Sequence, residues 1–166
     1  IEYAPILRSP VRQLEVVVLA SPLTRARHTA QAFTQKVSRE MGVDIPIVVH
    51  PMAIEINFGV WENQVPETVS NSEAIRMQLY RRCHAGIKAE GGESFAECIL
   101  RANRLLQALE TSYPGKMIIL FSHGTLGAAI QLLLGDPKLV NPDGSVYWRD
   151  SRLLPHASPV SLLRIL

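Results

Sequence analysis

Residues Leu14–Ala20 read Leu-Glu-Val-Val-Val-Leu-Ala and run straight into Ser21-Pro22-Leu23-Thr24-Arg25-Ala26-Arg27-His28. The first segment is short, apolar and β-branched, the pattern of a buried strand. Ser21-Pro22 then supplies an N-cap residue and a proline suited to a first helical turn. Leu23, Ala26, Ala30, Phe33, Val37 and Met41 recur at helical spacing, and Gly42 marks the end of the helix. A strand handing over to a helix in this way is the basic unit of a parallel α/β sheet.

The same alternation continues along the chain. Asp44–His50 reads as a strand that Pro46 places near an edge or limits to its second half. Met52–Asn63 reads as an irregular loop containing Gly59 and Trp61. A helix is expected from about Ser72 to Gly86, with Ile75, Leu79 and Cys83 facing inward. After Gly91-Gly92, the spacing Ser94-x-x-Glu97 is that of a capping box. Phe95, Ile99, Ala102, Leu105 and Leu109 continue it as an apolar helix face. Met117–Phe121 reads as a buried strand, Leu126–Leu134 as a short buried helix, and Val160–Leu166 as a last strand. Strands joined through helices predict a three-layer αβα sandwich around a mainly parallel sheet. Residues 1–166 are read as one domain.

Composition narrows the function. With 47% hydrophobic and 19% charged residues, the chain is not of the disordered type. Its longest apolar run is of strand length, far short of the roughly 20 residues of a membrane span. A net charge of +2 without a Lys/Arg block gives no nucleic-acid footprint. Cys83 and Cys98 are too few for a disulfide framework and lack metal-ligand spacing, so both are read as thiols in a reducing, cytoplasmic setting. The five histidines show no metal-ligand spacing either, so neither metal nor cofactor is expected. A homodimer is the expectation only from how soluble proteins commonly assemble.

Ligands in such sheets bind beyond the carboxyl ends of the strands, so the strand-to-helix corners carry the candidate chemistry. At the first corner, Arg25, Arg27 and His28 crowd the start of a helix, where the macrodipole disfavours cations. An anion held at the helix N-terminus reverses that sign, and Arg25 offers a planar fork for phosphate oxygens. Solvated surface arginines remain the ordinary alternative. At the second corner, Ser122-His123-Gly124 places a histidine at the end of a strand, with a glycine that permits close backbone approach. Two corners of this kind favour a phosphate site. Glu55, flanked by apolar residues in Ile54-Glu55-Ile56, is the candidate acid, because partial desolvation favours the protonated carboxyl. A loop carboxylate paired with an arginine is an equal reading. Glu62 is a weaker candidate, and His28 lies close enough in sequence to assist.

Together these segments resemble the histidine phosphatase superfamily, the phosphoglycerate mutase-like phosphatases. Ser21-Pro22-Leu23-Thr24-Arg25-Ala26-Arg27-His28-Thr29-Ala30 is similar to that family's Ser-Pro-Leu-x-Arg-Ala-x-x-Thr-Ala. Glu55-Ile56-Asn57-Phe58-Gly59-Val60-Trp61-Glu62 resembles its acid-bearing loop, and Gly91-Gly92-Glu93-Ser94 and Ser122-His123-Gly124 follow in the family's order. The resemblance implies hydrolysis of a phosphomonoester through a phosphohistidine, without a cofactor. It implies that Arg25 binds the phosphoryl group, that His123 and Gly124 contact its oxygens, and that Glu55 protonates the leaving oxygen.

The family's nucleophile is a histidine in Arg-His-Gly, and no such motif precedes Leu14. Ile6-Leu7-Arg8-Ser9-Pro10 stands as a degenerate counterpart, with Arg8 as a further phosphate ligand and Ser9 in the histidine's place. Val11-Arg12-Gln13 is too short for a parallel crossover. The chain opens at Ile1, and the expectation is that residues of the natural protein, the nucleophile among them, lie outside this sequence. A genuine truncation is the alternative. Three functions therefore stand: a phosphatase, a catalytically inactive phosphate- or partner-binding relative, and a mutase-type phosphoryl transferase. The expected partner is a small phosphorylated substrate or phosphate itself.

Overall fold

A computed structural model of the chain describes residues 15–81 and 86–135. In order, β1 (Val16–Ala20), α1 (Thr24–Met41) and β2 (Ile47–Val49) are followed by short 3-10 turns at Pro51–Ala53, Gly59–Trp61 and Pro66–Thr68. Then come α2 (Asn71–Arg81), α3 (Phe95–Ser112), β3 (Met117–Phe121) and α4 (Gly124–Leu133). The expectations for Ile6–Pro10, Cys83, Asn141–Gly144 and Val160–Leu166 lie outside the described residues.

β1 is the middle of three parallel strands, ordered β2-β1-β3. Its residues alternate between two faces, as a strand must. Val18 and Ala20 pack with Ala30 and Phe33 of α1, together with Ile119 and Phe121 of β3. Leu19 faces the other way, into a larger core with Ala102 and Leu105 of α3 and Leu126 and Ala129 of α4. Helices thus cover both faces of the sheet, giving the three αβα layers that the strand–helix alternation predicts. The parallel register sets Ala20 opposite both Val49 and Phe121. All three strands therefore end at one edge.

Several local readings need correction. α1 starts at Thr24, with Leu23 rather than Ser21 as its N-cap. Ser21 instead prolongs β1, its backbone N–H donating to the Phe121 carbonyl at 2.9 Å. β2 is confined to Ile47–Val49, consistent with Pro46 having no N–H to donate. β3 is half-buried throughout rather than buried. α4 begins at Gly124, two residues earlier than its apolar pattern suggests. On α2, Ile75 is 58% exposed, and Met77 and Tyr80 face the core instead. Tyr80 makes edge contacts with Phe58 and Trp61 at ring separations of 5.9 and 5.6 Å. At about 100° per residue, Ile75 lies about 200° from Met77 and must face out.

The capping box forms as its spacing predicts: Ser94 Oγ accepts from the Glu97 N–H, and a Glu97 carboxylate oxygen accepts from the Ser94 N–H at 2.8 Å. Just upstream, the Gly91-Gly92 turn lies against the loop that carries Glu55. Gly59 has φ +55°, and a Cβ there would collide with the Glu90 carbonyl and stand 2.5 Å from the Gly92 nitrogen. Both constraints forbid a side chain. Gly59→Ala is expected to destabilise the fold by about 2–4 kcal/mol, combining left-handed strain with overpacking. Urea denaturation measures this, and a loss within about 0.5 kcal/mol, the scale of an ordinary surface change, would show that the two loops part without cost.

Candidate active site

The site forms where the strands end. Ser21, His50 and Ser122-His123 directly follow β1, β2 and β3. The edge is stitched by the Ser21 N–H donating to the Phe121 carbonyl and the His50 N–H donating to the Ala20 carbonyl. His123 is the N-cap of α4 and holds extended backbone, so its side chain leaves the sheet toward the start of α1. There Arg25 Nε donates to His123 Nδ1 at 3.2 Å. On the opposite side of the ring, His123 Nε2 lies 2.7 Å from Ser21 Oγ. The two corner residues singled out from the sequence are thus in direct contact.

Arginine can only donate, so His123 Nδ1 is the accepting, unprotonated nitrogen. The single proton of the neutral ring therefore sits on Nε2, which donates to Ser21 Oγ. Burial holds the imidazole in this neutral form, and the charges of Arg25 and Arg101 act in the same direction, pushing its pKa down to about 4.

Glu55 lines an open cleft of about 880 Å³ whose walls also include Arg25, Asn57, Glu62, Arg101 and Arg104. One Glu55 carboxylate oxygen accepts from the Ile56 N–H at 3.0 Å. The loop beneath it is anchored by a residue that the sequence reading did not single out. Arg101 of α3 grips Glu93 with a two-point fork, Nε to Oε1 at 2.8 Å and Nη2 to Oε2 at 2.6 Å. Its Nη1 donates to the carbonyls of Met52 and Ile54, both at 2.8 Å. Side-chain exposures of 17% and 18% mark this as a largely desolvated pair, where ideal fork geometry matters most. The Glu93 N–H also donates to the Asn57 carbonyl at 2.7 Å. Ser122 Oγ donates to the Ala53 carbonyl at 2.8 Å, tying the same loop to the end of β3. Glu55 is therefore carried by a segment fixed on three sides.

Other candidates stand apart from this arrangement. His28 is exposed on α1 and makes none of these bonds. Glu62 is exposed on the cleft wall. His50 Nδ1 accepts from the Met52 N–H and caps the first 3-10 turn. A Cβ on Gly124 would meet nothing within 4 Å, so open space lies beside it. Cys98 is fully buried and its thiol is pushed up to about 12 by that burial, which leaves it no thiolate for nucleophilic work. Arg8, His84 and His156 lie outside the described residues. Among the described residues, no helix is long and apolar enough to cross a membrane.

The suppressed basicity of His123 has a consequence for stability. In the unfolded chain the ring protonates near pH 6.5, roughly the ordinary histidine value, but in the fold only near pH 4. Between these values the unfolded state binds the extra proton, so its stabilising share is complete above about pH 6.5 and lost as the pH falls to about 4. Allowing for solvent screening, the wild type should lose about 1–2 kcal/mol more than His123→Gln over that window. Urea midpoints at neutral and acid pH test this, and parallel losses in both proteins would contradict it.

Comparison with known proteins bears on the family and the fold. The sequence profile described as histidine phosphatase superfamily (branch 1) matches residues 5–141. The mannitol-1-phosphatase of Eimeria tenella is 26% identical over 179 residues, covering 89% of this chain and 56% of that protein. The bifunctional protein Rv2228c of Mycobacterium tuberculosis is 30% identical over 110 residues, covering 65% of this chain and 28% of that protein. The chain thus spans about half, or less, of the length of these curated relatives. Among solved structures, YhfR of Bacillus stearothermophilus superposes with a TM-score of 0.62 at 20% identity, over 80% of this chain and 61% of that one. A mycobacterial glucosyl-3-phosphoglycerate phosphatase gives 0.56 at 24% identity, over 71% and 57%. The likeness to these structures is one of fold. With the profile matching most of its length, this chain belongs to the histidine phosphatase superfamily, branch 1.

Proposed function

We propose that this chain carries the phosphoryl-binding and proton-donating groups of a phosphomonoesterase that works through a phosphohistidine. The observation that supports this best is the Arg25–His123 contact at the common end of three parallel strands, beside a cleft that also holds Glu55. Arg25 would turn its fork to the phosphoryl oxygens, and His123 would contact the same group with Gly124 close by. Glu55 would give its proton to the leaving oxygen as the P–O bond breaks and the phosphoryl group passes to the nitrogen of the family's nucleophilic histidine. A water would later release phosphate from the phosphorylated histidine. Arranged charges and positions supply most of the acceleration in such chemistry. Arg8 is proposed as a further phosphate ligand.

The substrate is proposed to be a small phosphate ester, in line with the sugar- and polyol-phosphate names of two of the relatives. The reaction asks for no cofactor. A cytoplasmic setting and a homodimer are part of the same proposal. Mutase-type transfer is the lesser form of this reading.

One observation favours a second reading. None of the five histidines stands in Arg-His-Gly, and the second reading is a catalytically inactive relative that binds phosphate or a partner. Hydrolysis of p-nitrophenyl phosphate and of an alkyl phosphate separates the two. Turnover by the wild type with a loss on the order of 10²–10³-fold in Arg25→Ala supports the phosphatase reading. Glu55→Gln should lose on the order of 10²–10⁴-fold on the alkyl ester and much less on p-nitrophenyl phosphate, whose leaving group needs less protonation. Equal background rates in wild type, Arg25→Ala and His123→Ala would overturn the phosphatase reading. Phosphate binding without turnover would establish the second.

A further inference from the structure

We propose that Ser21 is a positioning residue, whose hydroxyl takes the His123 Nε2–H and so holds the ring in the orientation that leaves Nδ1 as the nitrogen presented to a bound phosphoryl group. This deepens the phosphate-site reading above and rests on it for the identity of the ligand. The sequence marks Ser21 as a helix cap and as the first residue of the Ser-Pro-Leu segment, with no role toward His123, yet it is 0% exposed and directly follows β1. Its backbone is held by the Phe121 carbonyl, and its Oγ already accepts from the Leu23 N–H at 3.2 Å. The oxygen facing His123 is therefore fixed by the turn itself rather than by a free rotor.

That fixity matters because an imidazole has a broad, nearly two-fold torsion about its ring bond. A flipped ring would present carbon to Arg25 and to any anion held there. The 2.7 Å contact from Nε2 to Ser21 Oγ selects one of the two orientations. The charged groups that bear on the ring, Arg25 from α1 and Arg101 from α3, both oppose its protonation while the pocket is empty. A phosphoryl group changes that balance, because its negative charge offsets both cations and draws the Arg25 fork to itself. Nδ1 can then take a proton, from solvent or from a P–OH group, and donate a hydrogen bond to a phosphoryl oxygen. Throughout, Nε2–H stays on Ser21. The same acceptor serves the neutral and the cationic ring, so no rotation accompanies binding.

Long-range proton–nitrogen NMR of the His123 ring, assigned by its loss in His123→Gln, reads the tautomer directly. The comparison uses wild type, Ser21→Ala and Ser21→Thr, each with and without inorganic phosphate. The expected result is an Nε2–H ring in the wild type at neutral pH that becomes doubly protonated on phosphate. Ser21→Ala should free the ring from its anchor, shifting and broadening the His123 ring signals, and weaken phosphate binding about tenfold, the scale of one lost hydrogen bond, and Ser21→Thr should restore both. If Ser21→Ala does not fold, Ser21→Cys keeps the packing with a far weaker acceptor and answers the same question. An Nδ1–H ring in the wild type would overturn the proposal. So would a serine-less variant with unchanged ring signals and affinity. A wild type that ignores millimolar phosphate would instead overturn the phosphate-site reading, whichever tautomer it holds.

Discussion

The site depends on the parallel register of three strands, which places Ala20 between Val49 and Phe121. Because the strands run in one direction and end together, the residues that follow them are brought within bonding distance despite large separations in sequence. His123 meets Ser21 across 102 positions and Arg25 across 98. Neither contact depends on a flexible loop finding its place. The backbone bond from Ser21 to Phe121 fixes the distance between the two corners before any side chain is considered. A side-chain contact built on such a joint starts from low conformational cost.

The loop that carries Glu55 is organised by one guanidinium. Arg101 is placed on the rigid middle of α3, with its fork spent on Glu93 and its Nη1 on two carbonyls just ahead of Glu55. Pairing with Glu93 offsets the cation, so the loop is held without leaving an isolated buried charge. Gly59 and Gly92 allow the two loops to lie backbone against backbone, which is why the Gly91-Gly92-Glu93-Ser94 segment and the acid loop behave as one unit. A mobile carboxyl group would lose the orientation on which proton transfer depends.

Local patterns carried the reading of the fold well. The β-branched run to Ala20, the helical spacing from Leu23 to Met41 and the capping box at Ser94 all express physics contained within a few residues. The site was legible in part for the same reason, since Arg25 and His123 each sit at a strand-to-helix corner. Arg101 was not, because its carbonyl partners lie 49 and 47 positions away, and along α3 it reads as a polar interruption of an apolar face. Ser21 was seen, but for its capping chemistry and its place in the Ser-Pro-Leu segment, because nothing local reveals that the histidine after β3 reaches its hydroxyl. Ile75 misled for the converse reason. Its apolarity suggested burial, while the aromatic group of Phe58, Trp61 and Tyr80 fixed the inward face of α2 elsewhere.

The central claim is that Arg25 and His123 form one wall of a phosphoryl pocket and Glu55 the other. A crystal structure of the protein with vanadate or phosphate tests it most directly. The account predicts an anion within about 2.7–3.1 Å of the Arg25 fork and of His123 Nδ1, with Glu55 across the cleft and the ring still bonded to Ser21. An anion bound elsewhere, or an Arg25–His123 bond left intact beside a bound anion, would contradict it.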